Sequence, residues 1–107
     1  MSGGYAGAKR MQMFLAGDLQ RAADTAKLSI RFLALVPKQV LAQSDLGDAV
    51  AAAYAKLGGI TPEKFMQRFG TPLTPHDVGR TIVDIAQGHI RPEGPVLGVS
   101  GNGVEAL

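Results

Sequence analysis

The stretch Ser29-Ile30-Arg31-Phe32-Leu33-Ala34-Leu35-Val36-Pro37 decides the fold that we expect for this chain. Every residue between Arg31 and Pro37 is apolar. An unbroken apolar run of this length is typical of a strand that is covered on both faces. Such strands occur in parallel sheets flanked by helices, and ligands usually bind at their carboxyl ends. We therefore predict a buried parallel strand over residues 29–36 that Pro37 ends, in a protein of the α/β class.

A long helix is predicted ahead of this strand, from residue 5 to residue 26. Its apolar residues recur at helical spacing, and charged residues occupy the other faces. Ser2 could cap its first turn. The apolar positions are Met11, Phe14, Leu15, Leu19, Ala22 and Ala23.

After this strand in the sequence, capping residues predict three further helices. Asp45 or Ser44 could begin the first, which Gly58-Gly59 would end. Thr61-Pro62 and Thr74-Pro75 each place a threonine at the cap and a proline at the first helical position. We therefore expect a helical connection between two strands of one sheet.

The last helix and the end of the chain complete the predicted order. A buried stripe is expected on that helix, and Gly88 would end it. Residues 95–100 predict a final short strand parallel to the first, and residues 101–107 a loose, glycine-rich tail. We predict one unit over residues 1–107, without an internal domain boundary. The stripe comprises Val78, Ile82, Ile85 and Ala86.

Composition excludes several functional classes. The chain has 107 residues, 46% of them hydrophobic and 19% charged, with a net charge of +2. Its basic residues are scattered, so we expect no nucleic-acid partner. It has no cysteine, which excludes disulfides and thiolate metal sites. His76 and His89 have no carboxylate at an evident spacing, so no metal site is predicted. Without a signal peptide or a long apolar run, we expect no membrane partner and a cytoplasmic location.

Tyr5 and Lys9 are spaced so that their side chains could act together in catalysis. Residues four apart lie on the same face of a helix. An ammonium group beside a tyrosine stabilises the phenolate, which suits the phenol to proton transfer near neutral pH. Taken alone, this spacing is a weak signal for catalysis.

The order of four segments resembles the C-terminal half of the short-chain dehydrogenase/reductase family. Tyr5 and Lys9 match its Tyr-x-x-x-Lys motif. Residues 30–37 look like its Ile-Arg-Val-Asn-x-Val-x-Pro segment, residues 74–79 resemble its Pro-Glu-Asp-Val-Ala helix start, and residues 95–100 are similar to its last strand. The resemblance implies the C-terminal portion of a Rossmann-like, doubly wound parallel sheet.

The same resemblance implies a reaction and its residues. The family interconverts alcohols and carbonyl compounds with NAD or NADP. Tyr5 would be the catalytic acid/base, and Lys9 would bind the nicotinamide ribose and support Tyr5 electrostatically. Tyr5, Lys9 and Pro37 would contact the cofactor, and the other partner would be a small alcohol or carbonyl substrate.

The chain also departs from the family pattern. The family's glycine-rich Gly-x-x-x-Gly-x-Gly turn is not found in these residues. Its catalytic serine is not found either, since Ser2 is too close to Tyr5 to act as that serine. Lys38 stands where the family usually has glycine after Pro37, and Ala42 stands near its threonine. We therefore expect the isolated chain to be inactive and to bind no cofactor.

An alternative function stays open. The chain could be a noncatalytic truncated fragment or a protein-interaction module. Its long apolar helix and the open edge of its first strand predict self-association.

Overall fold

The computed structural model describes residues 3–107. Helices and strands follow in the order α1 (Gly3–Thr25), β1 (Ala34–Pro37), α2 (Asp45–Gly58), α3 (Pro62–Gln67), α4 (Pro75–Ala86), β2 (Val96–Ser100) and β3 (Gly103–Ala106). The sheet has the order β1-β2-β3, with β1 parallel to β2 and β2 antiparallel to β3. The predicted α/β class and the parallel pairing of the first two strands are confirmed, but the sheet is mixed.

Strand β1 is shorter than predicted, because α1 supplies hydrogen bonds to the segment ahead of it. The Gln20 side chain accepts a hydrogen bond from the Phe32 N–H at 2.8 Å and donates one to the Ile30 carbonyl at 3.4 Å. Pairing begins only where the Ala34 N–H donates to the Pro95 carbonyl at 2.8 Å. The prediction of a strand from residue 29 was therefore wrong for its first five residues.

The carboxyl end of β1 also differs from the prediction. Pro37 is the last residue of the strand, opposite Val99, rather than the residue that follows it. Burial on both faces was also wrong, since residues 34–36 are half-buried and Pro37 is exposed. Strand β2 forms the core instead, with Leu97 and Val99 each 2% exposed, because it has a neighbour on both sides.

Local capping accounts for the helix starts. The Ser44 hydroxyl accepts the Gly47 N–H at 3.0 Å and begins α2. The Thr61 hydroxyl accepts from the N–H of Lys64 and begins α3 in the same way. Gly59, with φ of 64°, ends α2 in the left-handed region that glycine adopts without strain. These predicted boundaries are confirmed, whereas the cap proposed at Ser2 lies outside the described residues.

Helix α4 has a different buried side from the one predicted. Its buried residue is Thr81, whose hydroxyl donates to the Asp77 carbonyl at 2.9 Å. Ile82 is 53% exposed and Ala86 is exposed, while Val78 and Ile85 are half-buried. The predicted stripe was therefore wrong for Ile82 and Ala86, since the less exposed side of α4 runs through Val78, Thr81 and Ile85.

The end of the chain is ordered into a strand. Residues Gly103–Ala106 form β3, with Val104 opposite Val99 and Ala106 opposite Leu97. The Asn102 N–H donates to the Ser100 hydroxyl in the connecting turn. The prediction of a loose tail was wrong. Although the segment is rich in glycine, its backbone N–H and C=O groups form hydrogen bonds with β2, and these order it as a strand.

Helix α1 leaves much of its apolar surface exposed. Met11 and Phe14 are 66% and 67% exposed, and only Ala16 and Ala23 are buried. Within residues 3–107, no helix has both the length and the apolar character that a bilayer crossing requires.

The molecule is extended for its size. Its radius of gyration is 16.0 Å, whereas a domain of this length typically has about 13 Å. Its accessible surface is 7608 Å², whereas a folded monomer of this mass exposes about 5,700 Å². The chain therefore exposes about 1,900 Å² more than a compact monomer would.

Candidate functional site

Tyr5, Lys9 and Pro37 line one cleft. The cleft has a volume of about 380 Å³ and lies between the first turns of α1 and strand β1. Residues 34–36 and the side of α1 at Gln12 and Met13 complete its walls. Pro37, which is distant from Tyr5 and Lys9 in the sequence, therefore meets them at the carboxyl end of β1.

The helix positions Tyr5 and Lys9 on the same face. The Lys9 Nζ lies 5.5 Å from the centroid of the Tyr5 ring, within the range of a cation–π contact. The Tyr5 side chain is 65% exposed, so its hydroxyl can exchange protons with solvent. The arrangement places a solvent-exposed phenol beside a positively charged side chain.

Pro37 and its neighbours supply an apolar wall. Leu35 and Val36 are half-buried, and the pyrrolidine ring of Pro37 is exposed at the end of the strand. Because proline has no N–H, this end of the strand has one hydrogen-bond donor fewer towards the open edge.

Lys38 follows Pro37 but does not line the cleft. Its ammonium forms an ion pair with the Glu105 carboxylate on β3. Both side chains are about half-exposed, so the pair adds at most about 1 kcal/mol to stability. The sequence could not indicate this pairing, since the segment that carries Glu105 was predicted to be loose.

Gln39 joins two loops at the carboxyl edge of the sheet. Its side-chain nitrogen donates to the Thr71 carbonyl at 2.9 Å, and its oxygen accepts the Gly101 N–H at 3.0 Å. Gly101 must be glycine there, because a Cβ would lie 2.0 Å from the Thr71 oxygen. Sequence reasoning missed this contact, which we call the Gln39 clasp.

The other titratable groups lie away from the cleft. The Thr74 side-chain hydroxyl, and then its backbone N–H, hold the pKa of Asp77 below its usual range. His89 lies 3.5 Å from the Asp84 carboxylate, a pairing that the sequence did not reveal. Among the described residues, no group of histidine and carboxylate side chains is arranged to hold a metal ion.

No protein-family model, curated protein or solved structure matches this chain. The geometry of the cleft and the resemblance of its motifs are therefore the basis for a functional proposal.

Proposed function

We propose that the cleft of Tyr5, Lys9 and Pro37 is the acid/base side of an oxidoreductase site that interconverts an alcohol and a carbonyl compound. The observation that carries this proposal is the meeting of all three residues in one cleft at the carboxyl end of β1. We further propose that β1 and β2, joined through α2, α3 and α4, belong to a Rossmann-like sheet.

The cleft suits the nicotinamide half of NAD or NADP. A ribose hydroxyl could accept a hydrogen bond from the Lys9 ammonium. The half-buried side chains of Leu35 and Val36, with Pro37, offer an apolar surface to a planar ring. Lys9 and Pro37 would thus hold this part of the cofactor, while Tyr5 faces the substrate.

The proposed chemistry assigns one proton to Tyr5. When bound, the nicotinamide would supply the hydride that a carbonyl carbon takes up on reduction. The Tyr5 hydroxyl gives its proton to the carbonyl oxygen, which becomes the alcohol hydroxyl. The Lys9 ammonium lies 5.5 Å from the centroid of the Tyr5 ring, and solvent returns a proton to the phenolate of this exposed side chain. Alcohol oxidation runs the same proton transfer in reverse.

Anchoring of the cofactor pyrophosphate is the part that residues 3–107 do not provide. The loop that follows β1, residues 38–44, contains no glycine and no glycine-rich turn into a helix. Backbone N–H groups in such a turn supply much of the affinity for a dinucleotide. We therefore propose that turnover needs a cofactor-binding half outside the described residues.

The cleft itself can be tested in the chain of 107 residues. Reduced nicotinamide mononucleotide is the probe, since it carries only the part of the cofactor that the cleft would contact. We expect weak, saturable NMR shift changes at Lys9, Val36 and the neighbours of Pro37, and smaller changes for Lys9→Ala. The matched control is Lys64→Ala on α3, which should leave the titration unchanged. Shift changes confined to other surfaces would refute the proposed site.

The second candidate function is a noncatalytic interaction module. The exposure of large apolar side chains on α1 favours it, with Met11 and Phe14 66% and 67% exposed, because stable monomers rarely leave contiguous apolar patches uncovered. The two candidates differ in the mononucleotide titration. An interaction module would give no saturable change in the cleft and would still bind another polypeptide.

A further inference from the structure

A second, larger groove runs beside the Tyr5 cleft. It has a volume of about 680 Å³ and lies between α1 and residues 32–35. Met11, Leu15 and Leu19 form its helix side, and none of its lining residues is charged. An occupant of this groove must therefore be apolar on the side that faces α1.

The groove adjoins the open edge of β1. Within residues 3–107, β1 pairs with β2 on one side and with no strand on the other. The N–H groups of Ala34 and Lys38 point towards β2, where they donate to the Pro95 and Val99 carbonyls. Because successive residues of a strand alternate in direction, the backbone groups of Leu33 and Leu35 point to the open edge. An occupant that is an extended strand would satisfy them.

The exposed area is large enough for a stable assembly. A standard interface buries about 800 Å² on each partner. The chain exposes about 1,900 Å² beyond the surface of a compact monomer of its mass. Met11, Leu15 and Leu19 are 66%, 46% and 40% exposed, which places part of this surface at the groove. A second copy that covers the groove would therefore bury apolar side chains that now face solvent.

We propose that the occupant is strand β1 of a second copy of this chain. The two strands would run antiparallel about a two-fold axis at Leu35. The Leu35 N–H would then donate to the carbonyl of the partner's Leu35, and the reverse. The Leu33 N–H would donate to the carbonyl of the partner's Pro37. Because Pro37 has no N–H, each such pair lacks only the hydrogen bond from Pro37 of one copy to the Leu33 carbonyl of the other.

This pairing also fills the groove. A two-fold axis perpendicular to the sheet leaves both α1 helices on the same face, side by side. Each helix would cover Met11, Leu15 and Leu19 of the other at the usual spacing of about 8–10 Å between packed helices. The sheet would continue through both copies in the order β3-β2-β1-β1-β2-β3. The assembly closes at two copies, because both β1 edges are used. It is therefore a form of the interaction-module candidate, since it leaves no β1 edge to which a cofactor-binding half could add strands.

The test combines oligomeric state with a cross-link. Sedimentation equilibrium over a wide concentration range should give a monomer–dimer equilibrium. Leu35→Lys should weaken dimerisation roughly 100-fold, because two like charges would face each other without partners in the interface. Ile82→Lys places the same charge on the exposed side of α4 and should leave the dimer intact.

The cross-link does not depend on the stability of the lysine variant. The chain contains no cysteine, so Leu35→Cys introduces a single thiol. Paired residues of this type have Cα atoms about 5.5 Å apart, within the range of a disulfide. Oxidation should give a disulfide-linked dimer with Leu35→Cys and little with Ile82→Cys.

Three results would overturn the proposal. A chain that stays monomeric at all concentrations would show that a second copy does not occupy the groove. Open-ended aggregation would show that the contact does not close at two copies. Equal cross-linking of Leu35→Cys and Ile82→Cys would show that the copies meet without a defined register.

Discussion

Replacing Gly101 by alanine tests how the Gln39 clasp holds the carboxyl edge of the sheet. A Cβ at this position would lie 2.0 Å from the carbonyl oxygen of Thr71, and real Cβ contacts are rarely below 3.0 Å. The two loops would therefore have to separate by about 1 Å. Both atoms that meet belong to short backbone turns, so a side chain cannot move aside to relieve the overlap.

The cost follows from what this separation breaks. The Gln39 side chain bridges Thr71 and Gly101 through hydrogen bonds of 2.9 and 3.0 Å, and each contributes about 1 kcal/mol. Overpacking at a tight contact adds about 1–3 kcal/mol. We expect Gly101→Ala to lower the free energy of unfolding by about 3–5 kcal/mol. Typical domains have only about 5–15 kcal/mol in total.

Urea denaturation followed by circular dichroism measures this loss. With a slope of about 2 kcal/mol per molar urea, the midpoint should fall by about 2 M. Gly79→Ala is the matched control, because a Cβ there meets nothing within 4 Å and lies inside α4. Alanine should stabilise that helix by up to about 1 kcal/mol. An unchanged midpoint for Gly101→Ala, or equal shifts for both variants, would refute the proposed close approach.

Four further predictions concern the cleft, the cofactor, acid stability and the segment ahead of β1. In a protein that completes the site, Tyr5→Phe should lower kcat at least about 100-fold with little change in cofactor affinity, while Lys9→Ala should impair both; near-normal turnover of Tyr5→Phe would contradict the proton-transfer role. Calorimetry of the isolated chain with NADH or NADPH should detect no micromolar binding, and such binding would show that anchoring groups exist within it. The hydrogen bonds from the Thr74 hydroxyl and N–H lower the pKa of Asp77. The ionised Asp77 carboxylate therefore stabilises the fold fully above its pKa in the unfolded chain, about 3.9, and this stabilisation is lost as the pH falls through its lower pKa in the folded chain. Thermal melts of Asp77→Asn at a series of pH values should lack this pH-dependent loss of stability. Gln20→Ala should speed amide exchange of Phe32 roughly tenfold through loss of one hydrogen bond, and unchanged protection would place the cause of the shortened strand elsewhere.

The proposed site was predictable where its chemistry is local. The spacing of Tyr5 and Lys9 places both on one face of α1, and the end of the apolar run predicts the position of Pro37. Their meeting in one cleft depends on how α1 lies against β1. The ion pair of Lys38 with Glu105 and the two hydrogen bonds of the Gln39 clasp join residues 32 to 67 positions apart, and no local pattern indicates such contacts.

The sequence by itself determined where the three helices that follow β1 begin. It also determined where α2 ends. The caps observed here are contacts between residues three or four positions apart, so Ser44, Thr61 and Thr74 suffice to begin α2, α3 and α4, and Gly59 to end α2. Only the tertiary structure decided which segments pair as strands and which side chains are buried. Residues 29–33 have the composition of a strand but bind to Gln20 instead, and the glycine-rich end of the chain becomes β3 because β2 offers it an edge. Strand pairing and burial depend on partners that are distant in the sequence, and these exist only once the helices and the sheet have come together.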